Sequence, residues 1–222
     1  MSNYYAESLN SQKLFQVYDT AIPRIKQYLS AEIDYVRERL KPTDRVLEVA
    51  SGYGRIVREL APHCGQIIGI DISEDSVRLS EDYLKEFQNA SELTMDIHKL
   101  EFDAPFDVIL CLQNGLSATR ADAAVISNLL AHLAPGGTAY FSTYSANFWE
   151  HRVDWFQEQA SKGLLGELDM EKTRDGVIIC KDGFKATTQT PEDYEAIGRA
   201  SGFPYEIVEV DQSSLFLVIH KP

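Results

Sequence analysis

Four clusters in the chain combine residue types and spacing that can do chemistry together. Glu48 precedes a small-residue loop, Ala50-Ser51-Gly52-Tyr53-Gly54. Asp71 follows Gln66-Ile67-Ile68-Gly69-Ile70. Met95-Asp96-Ile97 follows Glu92-Leu93-Thr94, and Leu112-Gln113-Asn114 closes an apolar run. Gly52 and Gly54 let a backbone approach a ligand closely and turn into a helix. Asp71 can accept hydrogen bonds from two neighbouring hydroxyls, and Asp96 from an exocyclic amino group, with Met95 and Ile97 walling the ring. That set suits an adenosyl ligand. Glu48 repels a diphosphate and favours a ligand whose tail is a cationic amino acid. A dinucleotide would call for G-x-G-x-x-G. Counted from Gly52 the third glycine position is Val57, and counted from Ala50 both outer positions fail.

Bringing these groups together requires elements that end at one place. Residues 45–49, 66–70, 92–95, 106–112 and 138–144 read as short strands, nearly continuous in apolar residues as burial on both faces demands. Between them lie helices. One carries Ile56, Val57 and Leu60, and one is capped by Ser73. A third spans 121–134 and is stopped by Pro135-Gly136-Gly137. Near the end, a helix over 191–201 turns at Gly202 into strands 205–210 and 215–220, whose short connection forces an antiparallel pair. This predicts an α/β fold: a doubly wound, mostly parallel seven-stranded sheet with an antiparallel last strand. Ligands of such sheets bind beyond the carboxyl ends of the strands, where all four clusters fall.

The chain reads as one domain over 1–222. Residues 1–42 form an N-terminal helical cover, broken at Pro23 and stopped by Lys41-Pro42. Residues 43–145 form the cofactor-binding core, 146–188 an addition, and 189–222 the closing helix and strand pair. The addition reads as an aromatic helix carrying Phe148, Trp149, Trp155 and Phe156. A hairpin of 166–170 with 177–181 around Arg174-Asp175-Gly176 follows it.

The stretch Val46-Leu47-Glu48-Val49-Ala50-Ser51-Gly52-Tyr53-Gly54 resembles the first motif of the class I, Rossmann-like S-adenosylmethionine-dependent methyltransferases. Ile68-Gly69-Ile70-Asp71-Ile72-Ser73 resembles the second. Thr94-Met95-Asp96, Phe106-Asp107-Val108-Ile109 and Leu133-Ala134-Pro135-Gly136-Gly137-Thr138 are similar to the motifs that follow. Ala50 departs from the glycine usual in the family. The resemblance implies an enzyme that binds S-adenosylmethionine, with S-adenosylhomocysteine as product. It places Glu48, Ala50, Ser51, Gly52, Gly54, Asp71, Ile72, Met95, Asp96, Ile97 and Leu112 around the cofactor. The reaction implied is in-line transfer of the sulfonium methyl to a nitrogen, oxygen or sulfur atom of a small molecule. Tyr5, Tyr18, Asn114 and Tyr144 are the candidates on the acceptor side. Tyr4, Tyr5 and Tyr18 lie in a segment with no place in the sheet, which is expected to lie across the opening. No side chain stands out as a catalytic base. The alternatives are a non-catalytic module that binds S-adenosylmethionine and regulates a partner, and an NAD-dependent oxidoreductase.

Plainer roles exist for the same residues. Glu48 can pair with Arg55 or Arg58, Asp71 and Asp96 can cap turns, and Asn114-Gly115 is a turn signal. His98 and His151 suit an ordinary surface, and Trp149 with Trp155 suits a core. The formal net charge of −13 argues against a nucleic-acid partner. The three cysteines, Cys64, Cys111 and Cys180, have no CxxC spacing, so neither a disulfide framework nor a zinc site is expected. The start lacks a signal-like segment and no apolar run has membrane-spanning length. A cytoplasmic monomer or homodimer without membrane contact is the expectation.

Overall fold

The computed structural model describes residues 11–222. Two helices come first, α1 (Ser11–Tyr18) and α2 (Pro23–Arg37), with Pro23 in the first turn of α2 where its missing N–H costs nothing. Helix α2 ends before the expected stop at Lys41-Pro42. The Asp44 carboxylate accepts the Lys41 N–H at 2.8 Å, which folds this stretch into a turn leading to the sheet.

The core alternates strand and helix: β1 (Arg45–Val49), α3 (Arg55–Leu60), β2 (Gln66–Asp71), α4 (Glu74–Leu84), β3 (Ala90–Thr94), β4 (Phe106–Cys111), α5 (Gly115–Thr119), α6 (Ala123–Ala131) and β5 (Leu133–Tyr144). Helix α7 (Trp149–Ser161), the two-residue strands β6 (Ile178–Ile179) and β7 (Lys185–Ala186), helix α8 (Pro191–Ser201), β8 (Tyr205–Val210) and β9 (Ser214–His220) follow. Seven strands form one sheet in the order β3-β2-β1-β4-β5-β9-β8. β9 runs antiparallel to both its neighbours, β5 and β8, and β1 to β5 pair in parallel.

Three details differ from the sequence expectation. Helix α6 covers 123–131 rather than 121–134, because the Asp122 side chain accepts the Val125 N–H and fixes its start. β5 begins at Leu133, upstream of the Pro-Gly-Gly turn, since the Phe106 N–H reaches His132 O at 2.9 Å and a register shift absorbs the turn. In the addition, 166–170 meets 177–181 only at the bridge Leu168↔Cys180, while the regular ladder pairs β6 with β7.

Successive strand residues face opposite sides of the sheet. Leu47, Val49, Ile109, Phe141 and Leu217 pack under α6 and α8. Val46, Ile67, Val108, Leu110 and Phe216 pack under α2 and α3 with Ile33, Val36, Ile56 and Leu60. The same alternation puts Glu48, Ser142 and Ser214 on the α2–α3 face. Among the described residues, no helix is long and apolar enough to cross a membrane.

Gly69 on β2 is opposite Glu92 on β3, whose side chain lies across it; a Cβ on Gly69 would sit 2.1 Å from Glu92 Oε1. The Glu92 carboxylate then reaches the hydroxyl of Ser51 in the loop after β1. Gly69→Ala must push this buried carboxyl aside. It should destabilise the protein by about 1–3 kcal/mol, the usual cost of overpacking, measured as a lower urea midpoint at unchanged slope.

Candidate functional site

A cavity of about 300 Å³ opens at the carboxyl ends of the parallel strands. Its wall gathers Glu48 near the end of β1 with Ala50, Ser51 and Gly52 after it, Asp71 at the end of β2 with Ile72 after it, Met95, Asp96 and Ile97 after β3, and Leu112 and Asn114 after β4. Tyr144 from β5 and Tyr18 from α1 complete it on the other side. Gly54 stands back from the wall: its N–H bonds Ser51 O at 3.1 Å, and at φ 82° it starts α3. Tyr4 and Tyr5 lie outside the described residues.

Gly52, at φ 62°, is needed twice over. Its conformation disfavours side chains, and a Cβ there would meet Leu14 of α1 at 2.6 Å. Helix α1 therefore lies over the loop. It is held from the other side by α7: Trp155 Nε1 donates to Val17 O at 3.2 Å, and Thr20 Oγ1 to Glu158 Oε2 at 2.6 Å. Ala50 also has positive φ, 58°, where the family's glycine would be unstrained.

Glu48 is buried, with Oε2 lacking a hydrogen-bond partner. Burial pushes its carboxyl up to about 8, against the pull of the nearby Arg55 charge and a backbone N–H. Arg55 lies over the Tyr18 ring at 4.6 Å, with its own Nη2 buried and unpartnered. Asp71 accepts the Gly52 N–H at 3.0 Å through one oxygen and the Ser73 N–H at 2.8 Å through the other. Burial raises its carboxyl, and these two donors offset part of the rise. Asp96 is different. It is half exposed, and the backbone N–H of His98 at 2.9 Å and the ring Nδ1 at 2.8 Å converge on Oδ1 and hold the carboxyl below its usual range. His98, exposed as the sequence suggests, is also part of the cavity wall.

Asn114 is more than a turn signal. Its side chain donates to Thr187 O at 2.8 Å and accepts from Thr143 Oγ1 at 2.8 Å, joining β4, β5 and the end of the addition. Tyr144 stacks against Phe148 and meets Tyr28 at 5.4 Å, with the Arg152 guanidinium 4.5 Å over its ring. Trp155, Phe156 and Gln159 of α7 line the same half of the cavity; the sequence reads Trp155 and Phe156 as part of an aromatic helix, with Trp155 in a core, and does not single out Gln159. Glu32 does not line the cavity, and its burial was not singled out from the sequence. It is 0% exposed, and its position in line with Ile25, Tyr28, Leu29 and Val36 on the buried stripe of α2 was the available signal.

Comparison with known proteins agrees with this geometry. Residues 46–137 match the model of a methyltransferase domain. A ubiquinone biosynthesis O-methyltransferase of Coxiella burnetii is 33% identical over 105 residues, which cover 46% of this chain and 44% of that one. The chain thus spans less than half the length of this curated relative. Among solved structures, the N-methyltransferase NodS of Bradyrhizobium japonicum in complex with S-adenosylhomocysteine superposes over 100% of both chains at 16% identity, with a TM-score of 0.58. Magnesium protoporphyrin IX methyltransferase of Synechocystis with bound S-adenosylmethionine covers 100% of this chain and 98% of its own at 16% identity, with a TM-score of 0.67. These last two establish the shared fold. With the motif order, the matched domain and the strand order in agreement, residues 46–137 form a methyltransferase domain within a Rossmann-like fold.

Proposed function

We propose that the protein transfers a methyl group from S-adenosylmethionine to a nitrogen, oxygen or sulfur atom of a small molecule by direct in-line displacement. The observation that carries this reading is the division of one cavity into two unlike halves. One is lined by acids and backbone at the ends of β1, β2 and β3, the other by aromatic side chains of α1, β5 and α7.

The residues present fit the cofactor. The unpartnered Oε2 of Glu48 is an acceptor for an ammonium, which would remove the cost of leaving a buried polar atom unsatisfied. Each Asp71 oxygen keeps a lone pair for a ribose hydroxyl after taking one backbone N–H. Asp96, ionised and oriented by His98, accepts from the adenine amino group, while Met95, Ile97 and Ile72 supply the walls. Leu112 closes the floor beside the tail. The cofactor supplies an activated methyl group. The task left to the chain is to exclude water and hold the acceptor atom about 3 Å from the methyl carbon, in line with the departing sulfur. Tyr18, Asn114 and Tyr144 stand in the half toward which that methyl points. The domain over 1–222 works as one unit in this reading, with 146–188 contributing Trp155 and Phe156 to the acceptor wall.

The negative formal charge favours a small-molecule acceptor over a nucleic acid. Isothermal calorimetry should show S-adenosylhomocysteine binding and no measurable NAD binding. Tight NAD binding with no adenosylhomocysteine binding overturns the proposal. Asp71→Ala removes two charge-assisted hydrogen bonds, so cofactor affinity should fall at least about tenfold, equivalent to ~1.4 kcal/mol, with the circular dichroism spectrum retained. An unchanged affinity removes Asp71 from the site.

The buried acids also predict a pH dependence of stability. Glu48 is pushed up to about 8 and Glu32 to about 7, above their unfolded value of 4.5. The folded state therefore binds more protons than the unfolded one between these values. The stability from each protonated acid is fully present below pH 4.5 and is lost as pH rises through the folded value. Each group contributes a slope of up to about 1.4 kcal/mol per pH unit in that window. Urea titrations of the ligand-free protein from pH 5 to 8 should show a falling midpoint, and Glu48→Gln should flatten it. A midpoint that rises over this range contradicts the assignment.

A further inference from the structure

Arg55, the first residue of α3, brings a guanidinium to the wall of the cavity. Among the described residues it makes no ion pair, and its Nη2 is buried without a hydrogen-bond partner. The other two guanidinium nitrogens also lack a partner but are not closed off, so they are donors open to the cavity. An aromatic ring holds the group in place. The guanidinium carbon lies 4.6 Å over the Tyr18 ring. Tyr18 stands on α1, which is pinned by the bond from Trp155 Nε1 to Val17 O at 3.2 Å. A guanidinium stacked on a ring stays charged and keeps its N–H edge free for an anion.

Glu48 lines the same cavity with the opposite need, since its buried Oε2 has no donor. Burial pushes its carboxyl up and the Arg55 charge pulls it back, so the two groups feel each other, yet they form no direct ion pair. Two groups of opposite sign that share a cavity without meeting leave room for a ligand that answers both. An ammonium satisfies Glu48, and a carboxylate satisfies the planar fork of Arg55. An α-amino acid bears both on one carbon and brings no net charge into a site poor in water. Among the described residues lining the cavity, Glu48, Asp71 and Asp96 are acidic and Arg55 is the only Lys or Arg. A carboxylate that enters therefore has one side-chain cation to meet and three acids to avoid.

We propose that Arg55 holds the carboxylate of the cofactor's amino-acid tail, while Glu48 holds the ammonium of the same tail. The inference rests on the methyl-transfer reading above. Arg55 stands on α3 and its ring partner on α1, so the tail is held where the strand-end half of the wall meets the aromatic half. Binding then leaves neither the guanidinium nor the Glu48 carboxyl with an unanswered polar atom.

The test compares, by calorimetry, S-adenosylhomocysteine with its decarboxylated analogue, which keeps the nucleoside and the ammonium. The unaltered protein should bind S-adenosylhomocysteine at least about tenfold more tightly, ~1.4 kcal/mol. Arg55→Met keeps an apolar stem against Tyr18 and removes the charge. It should lose that preference by weakening S-adenosylhomocysteine alone. The analogue should bind at least as tightly as before, because a like charge near its ammonium is gone. An unaltered protein without the preference overturns the proposal whether or not the variant folds. So does an Arg55→Met protein that weakens both ligands equally, which marks Arg55 as a prop for Tyr18. A variant that retains the preference also overturns it, giving the carboxylate to backbone N–H groups. Failure of S-adenosylhomocysteine to bind in the preceding calorimetry overturns the methyl-transfer reading itself, and this inference with it.

Discussion

Parallel pairing of β1 with β2 on one side and β4 on the other is the constraint on which the site depends. The registers Val49↔Ile70, Asp71↔Thr94 and Glu48↔Leu110 end these strands at one level, so the chain leaves the sheet at several adjacent points. The chain steps outward from β1 to β2 and β3, then returns to β4 on the opposite side of β1. The crevice opens at that reversal. A slip of one residue in β1 would turn Glu48 toward α6 and α8 and bring apolar Val49 to the α2–α3 face. Because crossover helices cover both faces, Glu48 and Asp71 lose most of their water, and their carboxyls are raised by the same pairing that gathers them, while Asp96 at the edge stays half exposed.

The acceptor half depends on a strained corner. Gln113 and Asn114 follow one another at φ 53° and 63°, and neither is glycine. Such residues cost on the order of 1 kcal/mol or more each and persist only where their surroundings hold them. Here the Gln113 N–H bonds Ser142 Oγ at 2.8 Å and the Asn114 N–H bonds Ser142 O at 2.9 Å, before the Asn114 side chain ties in Thr143 and Thr187. Ser142 thereby links the corner to the carboxyl of Glu32. A shift at this corner moves the wall of the cavity, the start of α5 and the end of the addition together.

How much of this the sequence reveals follows from where each residue sits. Glu48, Asp71 and Asp96 are legible because a strand of period two ends at or just before each acid, and an acid there has a known direction. The terminal strand pair is legible because its connection is too short for a crossover. Glu32 was read past, although a carboxylate in line with Tyr28, Leu29 and Val36 already breaks the expected polar-out pattern of α2. Trp155 and Phe156 are ambiguous in principle, since a helix face packed in a core and one that lines a cavity show the same spacing. The Glu92–Ser51 contact is out of reach of any local pattern. It joins residues 41 apart through the absence of a side chain at Gly69, and only the β2–β3 register brings them together.

The two halves of the cavity are built by different rules. The cofactor half belongs to the segment matched by the family, and its groups are fixed by backbone hydrogen bonds at strand ends. Its geometry therefore tolerates little change. The other half of the wall comes largely from outside that segment, from α1, β5 and α7, and α1 and α7 are joined by side chains. Trp155 reaches Val17 O, Glu158 reaches Thr20, and Arg152 donates to Gly176 O at 2.8 Å while lying over Tyr144. Aromatic packing of this kind adjusts to volume-conserving substitution at modest cost, without disturbing the sheet. Substitutions on α1 and α7 can therefore alter that part of the wall while the groups at the strand ends stay in place. Proteins that share this domain or this fold carry names as different as an O-methyltransferase of ubiquinone biosynthesis and an N-methyltransferase.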